Sequence, residues 1–322
     1  MFLTENEKHD DTPITTSYDI LTSEAGILEI VMEGEMFFHN LNFSMIKLEH
    51  AAILQENTVL LEKGLKDYWE SFVKFLKEQW AKVKQWFAQI FAKLTAYFDG
   101  VQKFLNKYQQ IITQSTFEPF QIEAYGPDKY LLGGKLLSTF DGKIDAMFAE
   151  SQKATKDTAS TAFSVDVYKK EVLGWFGSKN ANDGIASVIK TAAMGADKPA
   201  LIKIDPAEAK KAVAALNTVK QEPAGLKNLQ KSSDKQYAET IKAAESIMKS
   251  SQGEDIKNEY KNKVLAGKNV ISVSNQVFAG LIAGCNAQIS DCMKILKAVV
   301  GKIGKGKKSE STNVLEQFGF TN

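Results

Sequence analysis

Residues 65–108 read LKDYWESFVKFLKEQWAKVKQWFAQIFAKLTAYFDGVQKFLNKY, and the fold class turns on this stretch. Large apolar side chains recur at Leu65, Trp69, Phe72, Leu76, Trp80, Val83, Phe87, Ile90, Leu94, Phe98, Val101, Leu105 and Tyr108, in steps of three and four. That is the period of one helix face. Tyr68, Phe75, Trp86, Phe91, Tyr97 and Phe104 widen the stripe, while lysines fill the other side from Lys66 to Lys107. No proline interrupts residues 46–117. The pattern predicts one or two long amphipathic helices, with Asp99-Gly100 as the place for a bend.

Working towards the N-terminus, the charge changes sign. Residues 1–60 hold eleven acids (Glu5, Glu7, Asp10, Asp11, Asp19, Glu24, Glu29, Glu33, Glu35, Glu49 and Glu56) against Lys8 and Lys47 alone. Residues 1–45 read as an acidic, flexible arm, with a strand or a short helix at residues 27–32. The first eleven residues lack a basic stretch followed by an apolar one, so a secretory leader is not expected. Residues 46–116 form the aromatic-basic helical region.

Towards the C-terminus, Pro119 ends the helix. Residues 120–125 alternate weakly and precede the turn signal Gly126-Pro127-Asp128. Residues 117–180 are therefore expected to form a mixed insert with turns and a small hairpin. Residues 181–303 read as helical again. Asp205-Pro206 is a helix start, because Asp can cap and Pro suits the first turn. Residues 226–260 are polar, with sparse apolar points, and suggest an exposed helix or hairpin. Ile271, Phe278, Ile282, Cys285, Ile289, Cys292, Leu296, Val299 and Ile303 then form a clean stripe, expected to be buried. Residues 304–322 read as a lysine-rich mobile tail. The architecture expected is mainly α, an elongated bundle of long helices with a small irregular or β-containing insert.

Composition narrows the function classes. The chain has 322 residues, of which 44% are hydrophobic, enough for a real core and against wholesale disorder. All 40 cations are lysine. Lacking the planar guanidinium fork, the chain is ill suited to bidentate base or carboxylate recognition, although loose phosphate contacts through the lysine-rich tail, including contact with DNA, stay open. An AT-rich coding sequence would give the same lysine bias. No stretch reaches the roughly 18 apolar residues of a membrane span. The richest, residues 270–300, is broken by Asn275, Gln288, Asp291, Lys294 and Lys297, so stable transmembrane insertion is not expected. Cys285 and Cys292 lie seven apart on one helix, roughly 10 Å along its axis, too far to bridge within it.

Motifs for catalysis are sparse. His9, His39 and His50 all fall in the acidic N-terminal sixth, and Glu35, His39 and His50 lack the spacing of a metal site. Gly301, Gly304 and Gly306 follow a helix rather than a strand, unlike a phosphate loop. No catalytic residue, metal ligand or cofactor is assigned, and an enzyme is not expected. The aromatic stripe is the principal feature. One reading is a membrane-surface helix, with rings on one side and lysines on the other. The other is a core or helix–helix interface, where aromatics bury large areas. The second is favoured, with Trp69, Phe72, Trp80, Trp86, Phe87, Phe91 and Phe98 as the interaction residues.

The run from Trp69 to Phe91, followed by Phe104-Leu-Asn-Lys-Tyr108, resembles the N-terminal half of virion structural proteins of large tailed bacteriophages, above all internal head or prohead-core components. The likeness covers roughly residues 45–125 and is one of pattern: an acidic leader, a Trp/Phe/Lys helix and a Phe-x-x-Lys-Tyr element. It implies an assembly protein of the capsid, located in the virion and in the host cytoplasm during assembly, with other virion proteins or further copies of itself as partners. It also implies trimming by a prohead protease after an apolar-x-Glu pattern. Glu56 in Leu54-Gln55-Glu56 fits, as do Glu29, Glu62 and Glu150. A helical membrane-active protein of the pore-forming type is the alternative, and a helical enzyme a third.

Overall fold

A computed structural model describes residues 58–131, 140, 142–155, 164–178, 180–219, 222–249 and 254–307. The acidic arm, residues 27–32, Glu56, the three histidines and the chain after Lys307 lie outside the described residues.

The aromatic-basic stretch is one helix, α1 (Thr58–Gln114), of 57 residues. It continues through Asp99 and Gly100, so the glycine expected to mark a bend does not interrupt it. Strand β1 (Phe120–Ala124) follows, then a short 3-10 turn at Pro127–Lys129. Three short helices come next: α2 (Lys143–Ser151), α3 (Val165–Trp175) and α4 (Ile185–Met194). Strand β2 (Ala200–Ile204) leads into α5 (Pro206–Val219), α6 (Glu222–Lys249) and the 54-residue α7 (Glu254–Lys307). The fold is mainly α, and among the described residues its β component is one two-stranded sheet.

Three core clusters run along the molecule and reveal how the long helices are laid. At one end, Trp69, Phe72, Val73, Phe75 and Leu76 of α1 pack with Ile241, Ala244 and Ile247 of α6 and Val264 of α7. In the middle, Val83, Trp86 and Phe87 meet α2, α3 and α4, Tyr237 of α6, and the 270–282 stretch of α7. At the far end, Val101, Leu105 and Ile112 share a cluster with α5, the sheet and residues 289–303 of α7. Residue numbers rise in the same direction on α1 and α7, so these two helices run parallel. On α6 they fall, so α6 returns between them. At 1.5 Å per residue, α1 and α7 each span roughly 80 Å.

Close backbone approach fixes where the short helices sit on α7. A Cβ at Gly280 would lie 2.8 Å from Ile189 Cβ and 2.9 Å from Ala186 Cα, so glycine lets α4 cross α7 at contact distance. Gly195, at φ 68°, ends α4 in the left-handed region, and a Cβ there would fall 2.1 Å from the Lys129 carbonyl oxygen. Helix α5 starts as its sequence predicts. Asp205 Oδ1 accepts hydrogen bonds from the amides of Ala207 (2.9 Å) and Glu208 (3.0 Å), and Pro206 opens the first turn.

Four expectations need correction. Residues 120–124 are a strand, but not half of a local hairpin: β1 pairs antiparallel with β2, Phe120 opposite Ile204 and Ala124 opposite Ala200. The strand puts Phe120, Ile122 and Ala124 against the core, and β2 supplies Ile202 and Ile204 on that same face. Residues 226–249 are not an exposed element. Ser233, Gln236, Tyr237, Thr240, Ile241, Ala244 and Ile247 are buried on α6, where several of its polar side chains find partners on neighbouring helices. Ser274 Oγ donates to Gln236 Oε1 (3.3 Å), Asn275 Nδ2 to Tyr237 Oη (3.2 Å), and Ser232 to Asp145 of α2. The lysine-glycine repeat does not end the last helix at residue 303, since α7 extends to Lys307. Finally, α7 does carry a window long and apolar enough to cross a membrane, within Asn258–Gly304, at mean hydropathy 1.3. Between Lys268 and Asp291 no side chain is charged and apolar residues outnumber the polar interruptions; 83% of the window is buried against the other helices.

Candidate functional site

The aromatic residues singled out by the sequence divide into two groups. Trp69, Phe72, Trp86 and Phe87 are buried inside the chain's own core. Trp69 stands edge-on to Phe72 at 5.6 Å, and Trp86 edge-on to Phe87 at 4.9 Å. Phe87 then stacks on Phe91 (5.9 Å) and tilts against Phe278 of α7 (5.5 Å). Trp80 and Phe91 are only partly buried. The Trp80 indole N–H donates to Asp234 Oδ1 at 2.9 Å, and the Lys84 ammonium lies 3.8 Å from its ring centre. The placement of the Phe98 side chain lies outside the described residues, as does Glu56. A shallow groove beside this helix is lined by Glu70, Val73, Lys74, Lys77, Glu78, Ala81 and Met248, with a Lys77–Glu245 ion pair (2.7 Å) joining α1 to α6 nearby.

A second constellation lies at the far end, on the face of α7 that meets the strand β1 and the turn after it. Asp291 is 8% exposed. Its carboxylate accepts from the Tyr125 amide at 3.2 and 3.1 Å, from the Gly126 amide at 3.3 Å and from the Tyr130 hydroxyl at 2.5 Å. One turn earlier, Gln288 Nε2 donates to the carbonyls of Ala193 (2.7 Å) and Leu131 (3.1 Å). One turn later, Lys294 Nζ donates to the Glu123 carbonyl at 2.5 Å. Three polar side chains on successive turns of α7 thereby satisfy backbone groups of β1, of the turn and of the α4 terminus.

The electrostatics there suit holding rather than reacting. Burial, with Cys292 and Asp291 alongside, drives the Tyr130 hydroxyl well above its ordinary range, so it stays a donor. Burial also pushes the Cys292 thiol up to about 12, and its Sγ lies 3.8 Å from Tyr130 Oη. A thiol so placed is protonated at neutral pH and is a poor nucleophile. Among the described residues, no group of three or more His, Cys, Asp or Glu side chains converges to hold a metal ion.

No family model, no curated protein and no solved structure matches this chain.

In the sequence, Asp291 stands out only as a break in an apolar stripe. The signal of its role is that it is the sole acid between residues 260 and 309. A lone carboxylate on an otherwise apolar face requires donors, but their location in residues 125–130 follows only from the fold.

Proposed function

We propose that this protein is a non-enzymatic structural and assembly component of a bacteriophage particle, acting as a long helical strut that packs against itself or other virion proteins. The observation that carries this reading is the pairing of two parallel helices of 57 and 54 residues by core clusters spread along their length. Cores repeated along an axis resist bending and set a fixed length, which is what a scaffold or spacer requires. The aromatic-basic pattern of α1, with its likeness to internal head proteins, supports the particle as the setting. Because Trp69, Phe72, Trp86 and Phe87 are taken up by the chain's own core, contacts with partners fall to outer surfaces, including the half-buried Trp80 and Phe91.

One observation favours a second reading, a helical membrane-active protein: the apolar α7 window, sheathed by shorter helices. A buried core helix has the same composition, so the first reading stands ahead.

Peptide mass spectrometry on density-purified particles tests the proposal. Peptides of this chain in the particle band support it, and a mature start after Glu56 adds processing. Recovery only from the particle-free soluble fraction, with leakage of liposomes by the purified protein, would transfer the reading to the membrane.

A further inference from the structure

The parallel course of α1 and α7 brings two acid-free, lysine-bearing segments to one end of the molecule. On α1 and just beyond it, residues 100–117 contain Lys103 and Lys107 and no acid. On α7 and just beyond it, residues 292–309 contain six lysines, Lys294, Lys297, Lys302, Lys305, Lys307 and Lys308, and no acid. The sequence separates these segments by nearly two hundred positions. The far core cluster joins them, because Val101, Leu105 and Ile112 pack there with Leu296, Val299 and Ile303. Lys103, Lys107, Lys294, Lys297 and Lys302 are all exposed.

Several acids at this end are already engaged. Lys211 Nζ pairs with Asp128 (2.5 Å) and Glu208 (2.6 Å), Asp205 caps α5, and Asp291 is buried under its three donors. At the opposite end α1 intersperses Asp67, Glu70 and Glu78 among its lysines, and α6 and α7 add Glu239, Glu245 and Glu259, of which Glu78, Glu245 and Glu259 pair with Lys74, Lys77 and Lys263. At the basic end Glu118 and Glu123 are exposed on and beside β1, so the acid-free surface there is that of the two helix ends themselves. Aromatic rings lie among the basic groups, with Lys302 Nζ 5.7 Å from the Phe120 ring centre and Lys107 Nζ 5.4 Å from that of Tyr108.

We propose that this end of the molecule, built from Lys103, Lys107, Lys294, Lys297 and Lys302, binds the phosphate backbone of nucleic acid without reading its sequence. Lysines are point charges on flexible stems, suited to phosphate and not to bidentate recognition of base edges. Exposed ammonium groups spread along two helix ends match a partner whose charges repeat along a strand, and each phosphate neutralised releases counterions. The inference stands apart from the particle role: a virion strut need not touch nucleic acid, and a nucleic-acid binder need not be packaged.

The test is fluorescence anisotropy of the full chain with a labelled duplex of about 30 base pairs of arbitrary sequence, titrated between about 50 and 200 mM salt. Five phosphate contacts predict a log–log salt slope of about −4 to −5. The variant Lys103→Gln/Lys297→Gln/Lys302→Gln is expected to reduce that slope by about three and weaken binding equally on unrelated sequences. The control Lys74→Gln/Lys242→Gln/Lys249→Gln removes the same charge from the opposite end and is expected to leave both unchanged. Circular dichroism confirms that each variant is folded. No binding at the lowest salt, equal losses in both triple variants, or binding to phosphatidylglycerol vesicles with none to the duplex would each overturn the proposal.

Discussion

The Tyr130 hydroxyl donates a 2.5 Å hydrogen bond to Asp291, 161 positions further along the chain, and that carboxylate also caps the amides of Tyr125 and Gly126. This single acid clamps the turn after β1 onto the last long helix. Converting it to an amide places a further donor where the fold presents only donors. Asp291→Asn is expected to lower unfolding free energy by about 2–4 kcal/mol, because it turns a buried donor towards donors, and Tyr130→Phe by about 1–3 kcal/mol, because the buried carboxylate loses one of its three donors. Urea unfolding checks both. A change below about 0.5 kcal/mol in either would mean that the clamp is not formed.

Helix α4 crosses α7 at Gly280, where Ala186 Cα and Ile189 Cβ leave no room for a side chain. Backbone atoms of a packed helix cannot yield cheaply. Gly280→Val should therefore cost about 1–3 kcal/mol or more through overpacking. Gly301 lies on the same helix, and a Cβ added there would meet nothing within 4 Å. Gly301→Ala should accordingly stabilise by about 0.5–1 kcal/mol through helix propensity. Thermal unfolding of the two variants should move in opposite directions.

The tryptophans of α1 provide a graded test of burial. Trp86 is 5% exposed and packs edge-on to Phe87, so Trp86→Ala should cost about 3–5 kcal/mol. Trp80 is partly exposed and donates a hydrogen bond to Asp234, so Trp80→Ala should cost less, about 1–3 kcal/mol. Equal losses at the two positions in equilibrium unfolding would contradict the orientation of the helix.

The Cys292 thiol titrates at about 12 in the folded chain against an ordinary 9.0. The folded state thus holds this proton more tightly than the unfolded state. The stability linked to it is complete below pH 9 and is lost as pH rises towards 12. The comparison that isolates this contribution is with Cys292→Ala. The wild type should lose stability more steeply than the variant above about pH 9. Both cysteines are buried, so neither should react with iodoacetamide at about pH 8 until urea unfolds the chain.

Much of this architecture is legible from local pattern, and the rest depends on distance along the chain. The stripe from Trp69 to Leu105 predicts α1, because a helix face is a local property. The same holds for the α7 stripe from Ile271 to Ile303 and for Asp205-Pro206 at the start of α5. By contrast, β2 is five residues with only weak alternation, and its partner β1 lies some eighty positions earlier, so neither the strand nor its pairing has a local signature. Helix α6 reads as exposed in the sequence because Ser233, Gln236 and Thr240 are polar. Gln236 is nevertheless buried, with Asp145 of α2 and Ser274 of α7 answering its amide, and Thr240 is buried where Gly267 of α7 comes close. The parallel direction of α1 and α7, and with it the meeting of Lys103 with Lys297 at one end, is a tertiary fact that no window of sequence contains.

That parallel course underlies both the strut and the basic end, and a distance measurement between spin labels tests it most directly. Labels at Lys103→Cys and Lys297→Cys should lie within about 25 Å of each other, since both sit at the end where the two helices finish. Labels at Lys74→Cys and Lys297→Cys should lie about 45 Å apart, given 1.5 Å of rise per residue along α1. A short distance for the second pair and a long one for the first would mean that the helices run antiparallel, contradicting the fold and the shared basic end together.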